Sequence, residues 1–426
     1  MSNKNSKDSV GIENIVKSII TPEDIKNVVQ KIYKGSAFVE FNFAPYSEDR
    51  LGVLGYHLRL QIVIERSERG SPEILELFVK TLPFDHYEHA EDVKEGGFFQ
   101  EEIVFYEEIL PRFLKNCKSA RWCPSVYLMK KNILIMENLK TQGFDVRERF
   151  FDETATIKSA MSAVARFHSC SIITQAELNR NSKIDVTLNS FYPNSFKEKA
   201  FGKTQPIGTW FFGTCKIIAA VALRLGYEEY HVHRTFERIS DIIKPSDKFV
   251  NVVCHGDLWS HNLMFDDTQP TPNCILVDFQ LIRYCPLALD ILQILYLNTT
   301  RSFREKSKNE LIQYYHSILE ETIRNNDSVK DVSIPTFEEI LTQVEELKLF
   351  GPIVASLFFP AILMNLEGVV QDLQNLEKRI EFLNSDRVNL TLSQMEKDPF
   401  FKDRLEEVIG EALELGKRMD EDEIKN

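Results

Sequence analysis

The sequence has no C-x-x-C pair, no apolar leader and no hydrophobic run long enough to cross a bilayer. Its seven cysteines (Cys117, Cys123, Cys170, Cys215, Cys254, Cys274 and Cys285) are odd in number and irregularly spaced, which excludes a zinc ribbon or a disulfide framework and implies reduced thiols. The histidines form no metal-ligand cluster. The opening residues, MSNKNSKDSVG, are polar where a secretory leader is apolar, so a cytoplasmic location is expected and the N-x-T sequons at Asn298 and Asn389 carry no weight. The most apolar stretch, residues 351–364, is too short to span a membrane and contains Pro352 and Pro360; it reads as a buried helix. Positive charge is scarce as well. With 51 Lys and Arg against 64 Asp and Glu, the net charge of −13 argues against a nucleic-acid partner. A P-loop is also missing, because Gly202-Lys203-Thr204 is preceded five positions earlier by Lys197 rather than glycine and follows no apolar strand.

What is present is an ordinary globular composition, 43% hydrophobic and 27% charged, in a chain of 426 residues, long enough for two lobes. Thr21-Pro22-Glu23-Asp24 is a helix start, followed by Ile25, Val28, Val29 and Ile32 at helical spacing. From Ala37 the period changes to two, with alternation at Phe41 and Phe43 and again at Leu58, Leu60, Ile62 and Ile64, and a third strand ends at Lys80. This predicts an antiparallel meander, with Gly52 and Gly55 in its first turn, where backbone N–H groups could approach phosphates. A helix is predicted over FFQEEIVFYEEIL and a buried strand over ILIMENL. Beyond Gly143 the pattern is mainly helical, with an aromatic-rich segment between residues 180 and 248. The fold class is therefore α+β, with a small antiparallel-sheet lobe followed by a larger helical one.

The most informative stretch runs from Cys254 to Gln280, CHGDLWSHNLMFDDTQPTPNCILVDFQ. His255-Gly256-Asp257 follows one short apolar run, Asn262 lies five residues after Asp257, and a second run delivers Asp278-Phe279-Gln280. These are the spacings of the kinase catalytic loop and of its D-F-G segment. Moving a phosphoryl group from ATP to a hydroxyl needs a carboxylate to orient the nucleophile and take its proton, a role open to Asp257. It also needs hard oxygen ligands for Mg²⁺, which Asn262 and Asp278 can supply. Lys80, closing the strand Leu77-Phe78-Val79, stands where a kinase lysine holds the α- and β-phosphates.

HGDLWSHNLMF followed by LVDFQLIRYCPLALD resembles the ecdysteroid kinase-like family, within the aminoglycoside and choline kinase-like phosphotransferases of protein-kinase-like fold. The resemblance implies a two-lobed fold and an ATP- and Mg²⁺-dependent small-molecule kinase, acting on an alcohol hydroxyl of an ecdysteroid or a hydroxylated xenobiotic. It implies Glu102, rather than its neighbour Glu101, as the partner of Lys80. It places adenine on backbone groups of Glu137 and Leu139, and has Asp290 brace the catalytic loop through His255. His168 matches a family histidine but reads as a satisfied core residue. The expected divisions are a helical extension (1–35), a nucleotide-binding lobe (36–139), a catalytic and acceptor-binding lobe (140–415) and a charged, frayed tail (416–426), in a monomer. Gln280 in place of glycine and the irregular glycine loop leave a nucleotide- or ligand-binding pseudokinase without turnover as the alternative.

Overall fold

The computed structural model describes residues 5–47, 54–66, 71–84, 87–147, 150–182, 186–202, 207–268, 272–326, 332–364 and 387–425. The first lobe is a five-stranded sheet of β1 (Ala37–Pro45), β2 (Tyr56–Glu65), β3 (Glu73–Thr81), β4 (Val126–Lys130) and β5 (Ile133–Glu137). Its strands lie in the order β1-β2-β3-β5-β4, every pair antiparallel. The alternation read along β2 is an inward row, since Leu58, Leu60, Ile62 and Ile64 are all buried. They form one apolar cluster with Leu77, Val79, Ile133 and Ile135 and with the helix Pro22–Ile32. That helix begins with a capping box in which the Thr21 hydroxyl accepts from the Asp24 N–H and the Asp24 carboxylate accepts from the Thr21 N–H. An earlier helix, Asn5–Ile19, falls within the helical extension expected over residues 1–35, although only the second helix is singled out in the sequence. Its signal was the four-residue spacing of Ile12, Val16 and Ile20, all of which join the same cluster.

Between β3 and β4 the chain leaves the sheet as a helix, Phe98–Val104, that continues through a π-helical turn, Phe105–Ile109, into a last stretch, Leu110–Asn116. Its apolar side faces the larger core and contributes Phe99, Phe105, Tyr106, Ile109 and Phe113 to it.

The second lobe is mainly helical. The long helix Thr154–Asn181 packs against Arg301–Arg324, and two nearly wholly buried helices, Ala288–Asn298 and Phe350–Ile362, lie side by side. The apolar stretch at 351–364 is thus core. Among the described residues no helix is long and apolar enough to cross a membrane. Short strands β6 (Asp145–Val146), β8 (Leu263–Asp266) and β9 (Asn273–Leu276) form one small sheet, and β7 (Asn251–Cys254) pairs with β10 (Arg283–Pro286). These two small units hold the ends of the segments carrying Asp257 and Asp278.

The charged end is not frayed. The last helix runs Pro399–Lys425, and Arg234 and Arg238 bond Asp420 at 2.7 and 2.6 Å while also reaching Glu423. A charged sequence is held in helix here by cations of a neighbouring helix, which its composition could not reveal.

Candidate active site

β3 delivers Lys80 to the cleft side of the small lobe, where the side chain is buried. Its ammonium lies 2.7 Å from Glu102 Oε2 and 2.9 Å from Asp278 Oδ1, so one cation joins a helix of the first lobe to a segment of the second. Glu101, one helical step away, faces elsewhere and pairs with Lys199. Glu102 also accepts from the Phe279 N–H through Oε1, at 3.3 Å, and so holds both the lysine and the chain beside Asp278.

Lys80 and Glu102 are buried and Asp278 is partly exposed, and charges this close must be mutually neutralising. Burial would lower the Lys80 pKa, but the carboxylates of Asp278 and Glu102 outweigh it and keep the ammonium charged. Burial would likewise raise Asp278, and Lys80 holds it below the ordinary carboxylate range. Glu102, almost without solvent, is pushed up to about 7 by burial.

Asp278 adopts φ +69°, uncommon for a residue with a side chain. Phe279 stabilises that turn, stacking on Phe105 at 4.1 Å with edge contacts to Tyr106, Trp122 and Phe167. The aromatic residue thus anchors the carboxylate that precedes it.

The loop from His255 to Asn262 is held almost entirely through its backbone. Asp290 Oδ2 accepts from the His255 N–H at 2.6 Å and Oδ1 from the Gly256 N–H at 3.0 Å. Asp290 therefore braces the loop through His255, by its main-chain amide rather than its imidazole, and through the amide of Gly256. That ring points the other way. Its Nε2 contacts Val277 O at 3.0 Å, and Nδ1 accepts from the Asp257 N–H at 3.3 Å. Burial lowers the His255 pKa, in keeping with a neutral imidazole that has one donating and one accepting nitrogen. His168 is the satisfied core residue expected of it, bonded to Tyr315 Oη at 2.7 Å and Asp290 Oδ2 at 3.0 Å.

Two further residues of the same helix were missed from the sequence. Gln293 accepts from the Leu258 N–H and donates to Gly256 O, and Asn298 donates to Leu258 O. The available signal was three polar residues, Asp290, Gln293 and Asn298, in the otherwise apolar run LDILQILYLN. Gly256 itself has φ +79°, and a Cβ there would lie 2.2 Å from Leu281 O and 2.5 Å from Arg283 Nη1, so only glycine fits.

At the end of this braced loop, Asn262 Nδ2 donates to both the main-chain O and Oδ2 of Asp257, each at 2.8 Å. Val277 N–H donates to Asn262 O, which sets Asp278 beside the same turn. Asp257 is raised to about 7, chiefly by burial and then by the negative charge of Asp278, with Asn262, Arg283 and Lys80 opposing. Since Asn262 spends its amide nitrogen on Asp257 and its main-chain oxygen on Val277, its side-chain oxygen and the Asp278 carboxylate are the hard oxygen donors that could hold a cation. That donor set suits Mg²⁺ and offers nothing to a soft metal.

Gly55 lies just before β2, where an added Cβ would stand 3.6 Å from Lys80 Cε. Gly52 lies outside the described residues. Glu137 ends β5, its own N–H bonded to Ser125 O and its carboxylate held by Arg121, Ser125 and Gln142; it has only its carbonyl to offer a ligand. Leu139 follows at the crossing into the second lobe.

The sheet, the helix of Glu102 and the helical second lobe together define a two-lobed, protein-kinase-like α+β fold. The chain belongs to the ecdysteroid kinase-like family, whose model matches residues 54–327, more than half of its length. No curated protein matches the sequence. Among solved structures it is similar to an ethanolamine kinase of Plasmodium vivax, at 12% identity over 92% of this chain and 88% of that one, with a TM-score of 0.40. A macrolide 2'-phosphotransferase type I matches at 14% identity over 83% and 96% of the two chains, TM-score 0.38. A microcompartment-associated aminopropanol kinase matches at 11% identity over 85% and 98%, TM-score 0.36.

Proposed function

We propose that the protein is an ATP- and Mg²⁺-dependent small-molecule kinase that transfers the γ-phosphoryl group to an alcohol hydroxyl. The observation that carries this reading is the Lys80 ammonium set between Glu102 and Asp278, beside the Asp257–Asn262 pair. Lys80, oriented by Glu102, holds the nucleotide phosphates, with Gly55 leaving room beside it; Gly52 is proposed from the sequence to approach the same phosphates. The backbone groups of Glu137 and Leu139 hold the base. Asn262 and Asp278 hold Mg²⁺, which when bound neutralises phosphate charge and aligns the reacting oxygens.

Asp257 then orients the acceptor hydroxyl and takes its proton as the oxygen attacks the γ-phosphorus and the bond to the ADP oxygen breaks. A carboxylate with a pKa pushed up to about 7 is a stronger base than an ordinary one and is about half ionised at neutrality. Asp290 and the neutral His255 serve by keeping the loop in register. The family match and the aromatic segment at residues 191–212 support an ecdysteroid or a similar hydroxylated apolar compound as acceptor. On this reading residues 36–139 bind nucleotide, residues 140–415 supply catalysis and acceptor recognition, and a single chain suffices.

The test is acceptor-dependent ADP release. Wild-type protein with Mg·ATP and a steroid alcohol should release ADP, and Asp257→Ala should lose about 10²–10⁴ in rate while keeping its fold. Unchanged turnover in that variant would remove Asp257 from its role. Absence of any ATP binding or turnover by the wild type would leave the alternative, a binding protein that kept the fold.

A further inference from the structure

Glu101 and Glu102 are consecutive on one helix, both buried, and grip different segments of the chain. Glu102 holds Lys80. Glu101 holds the segment from Phe196 to Phe201: its Oε1 accepts from the Phe196 N–H at 3.0 Å and its Oε2 from the Lys199 ammonium at 2.7 Å. The Lys199 side chain is only 7% exposed, so this is a desolvated pair and not a surface contact. Phe196 has φ +64°, a conformation that a bulky residue holds only when its surroundings impose it.

The same segment is tied at its other face to the catalytic loop. Glu198 accepts from Arg283 Nε at 2.7 Å and from the Ala200 and Phe201 N–H groups, and Arg283 Nη1 donates to Gly256 O at 3.2 Å. The Arg283 guanidinium also lies over the Phe201 ring, 5.0 Å from its centre. Phe196, Glu198 and Phe201 together with Arg283 and Tyr284 line a cavity of about 360 Å³. Whatever fills that cavity touches the segment, and the segment touches the helix of Glu102.

We propose that Phe196–Phe201 is a strap that couples the two substrates, with Glu101 and Lys199 as positioning residues: seating the strap around an acceptor sets the helix that aims Glu102 at Lys80. The inference rests on the kinase reading above and adds to it. Neither Glu101 nor Lys199 is among the residues assigned above to nucleotide, metal or the reacting hydroxyl. Both act through Glu102, which lies one residue along the same rigid helix. Coupling of this kind is reciprocal, so an acceptor that tightens nucleotide binding is itself bound more tightly when nucleotide is present.

The experiment is a titration of the full chain with Mg·ATP, in wild type, Lys199→Met, Glu102→Gln and the double variant, with thermal midpoints recorded in parallel. The expected result is that Lys199→Met weakens Mg·ATP binding about tenfold in the wild-type background and has little effect in the Glu102→Gln background, where there is no carboxylate left to aim. Glu101→Gln, which keeps an oxygen for the Phe196 N–H, serves if Lys199→Met fails to fold; it should show the same non-additivity with Glu102→Gln. A lower thermal midpoint with unchanged nucleotide affinity, or effects that simply add, would overturn the strap and make the pair a local brace. Failure of the wild type to bind Mg·ATP would remove the kinase reading first and the strap with it, whereas normal wild-type binding with an indifferent variant removes the strap alone.

Discussion

Asp257 is the residue whose ionisation the account depends on most. Burial beside Asp278 raises its pKa from 3.8 to about 7 in the free protein. As a base it must be ionised, so kcat/KM measured against pH should rise through about 7 and level off above it. Stability should respond in the opposite sense. The folded state binds this proton more tightly than the unfolded chain, so between about pH 4 and 7 raising the pH removes stability, with no further loss from this group above 7. Asp257→Asn abolishes that loss: its thermal midpoint should exceed wild type by a few degrees at pH 8 and converge on it near pH 4. A wild-type midpoint difference that does not change with pH would contradict the raised pKa. The residue types and the five-residue spacing of Asp257 and Asn262 were legible in the sequence because both sit in one short turn. Spacing could not show what separates Glu101 from Glu102, because the deciding partner of Glu101 is Lys199, far along the chain.

At the level of elements, the helix Ala288–Asn298 does for the catalytic loop what a sheet would do for a strand. Its Asp290, Gln293 and Asn298 take up main-chain groups of residues 255–258 that no strand pairs. Gln293→Leu would leave the Leu258 N–H and one bond to Gly256 O unmade, with an expected cost of about 1–3 kcal/mol in denaturant titration. It should also lower kcat more than it alters nucleotide affinity, because the loop and not the Lys80 site is loosened. The neighbouring helix Phe350–Ile362 meets this one through Gly351, whose added Cβ would lie 2.3 Å from the Tyr296 ring. Gly351→Ala should therefore destabilise by about 1–3 kcal/mol through overpacking, visible as a lower midpoint at unchanged Mg·ATP affinity. Strands β1–β3 and the capped helix at Thr21 were readable from local period and capping chemistry alone. The helix Asn5–Ile19 was not resolved as a separate element because its buried positions Ile12 and Val16 are diluted by polar neighbours, and the ordered C-terminal helix escaped because Arg234 and Arg238 sit far upstream of Asp420.

For the whole molecule, the two-lobed arrangement followed from a change of period: alternating strands before residue 140 and helical repeats after it. The cleft between the lobes did not follow from period at all, since its defining contact joins Lys80 to Asp278 across 198 residues of chain. That contact also predicts how the molecule answers nucleotide. Mg·ATP at about a hundred times its Kd should stabilise the folded protein by about 2.7 kcal/mol, read as a raised thermal midpoint. Lys80→Met should lose most of that stabilisation, since it removes the cation shared by Glu102 and Asp278. Equal stabilisation of wild type and Lys80→Met would place the nucleotide elsewhere.

The central claim is that Lys80, Asp257, Asn262 and Asp278 make one phosphoryl-transfer site. Mass spectrometry of hydroxylated steroid and xenobiotic acceptors after incubation with Mg·ATP tests it most directly. The account predicts that an acceptor gains one phosphate with the wild type and does so about 10²–10⁴ more slowly with Asp257→Ala, although that variant still binds Mg·ATP. Phosphorylation by Asp257→Ala at the wild-type rate, or no phosphorylated alcohol from a wild type that binds Mg·ATP, would contradict it.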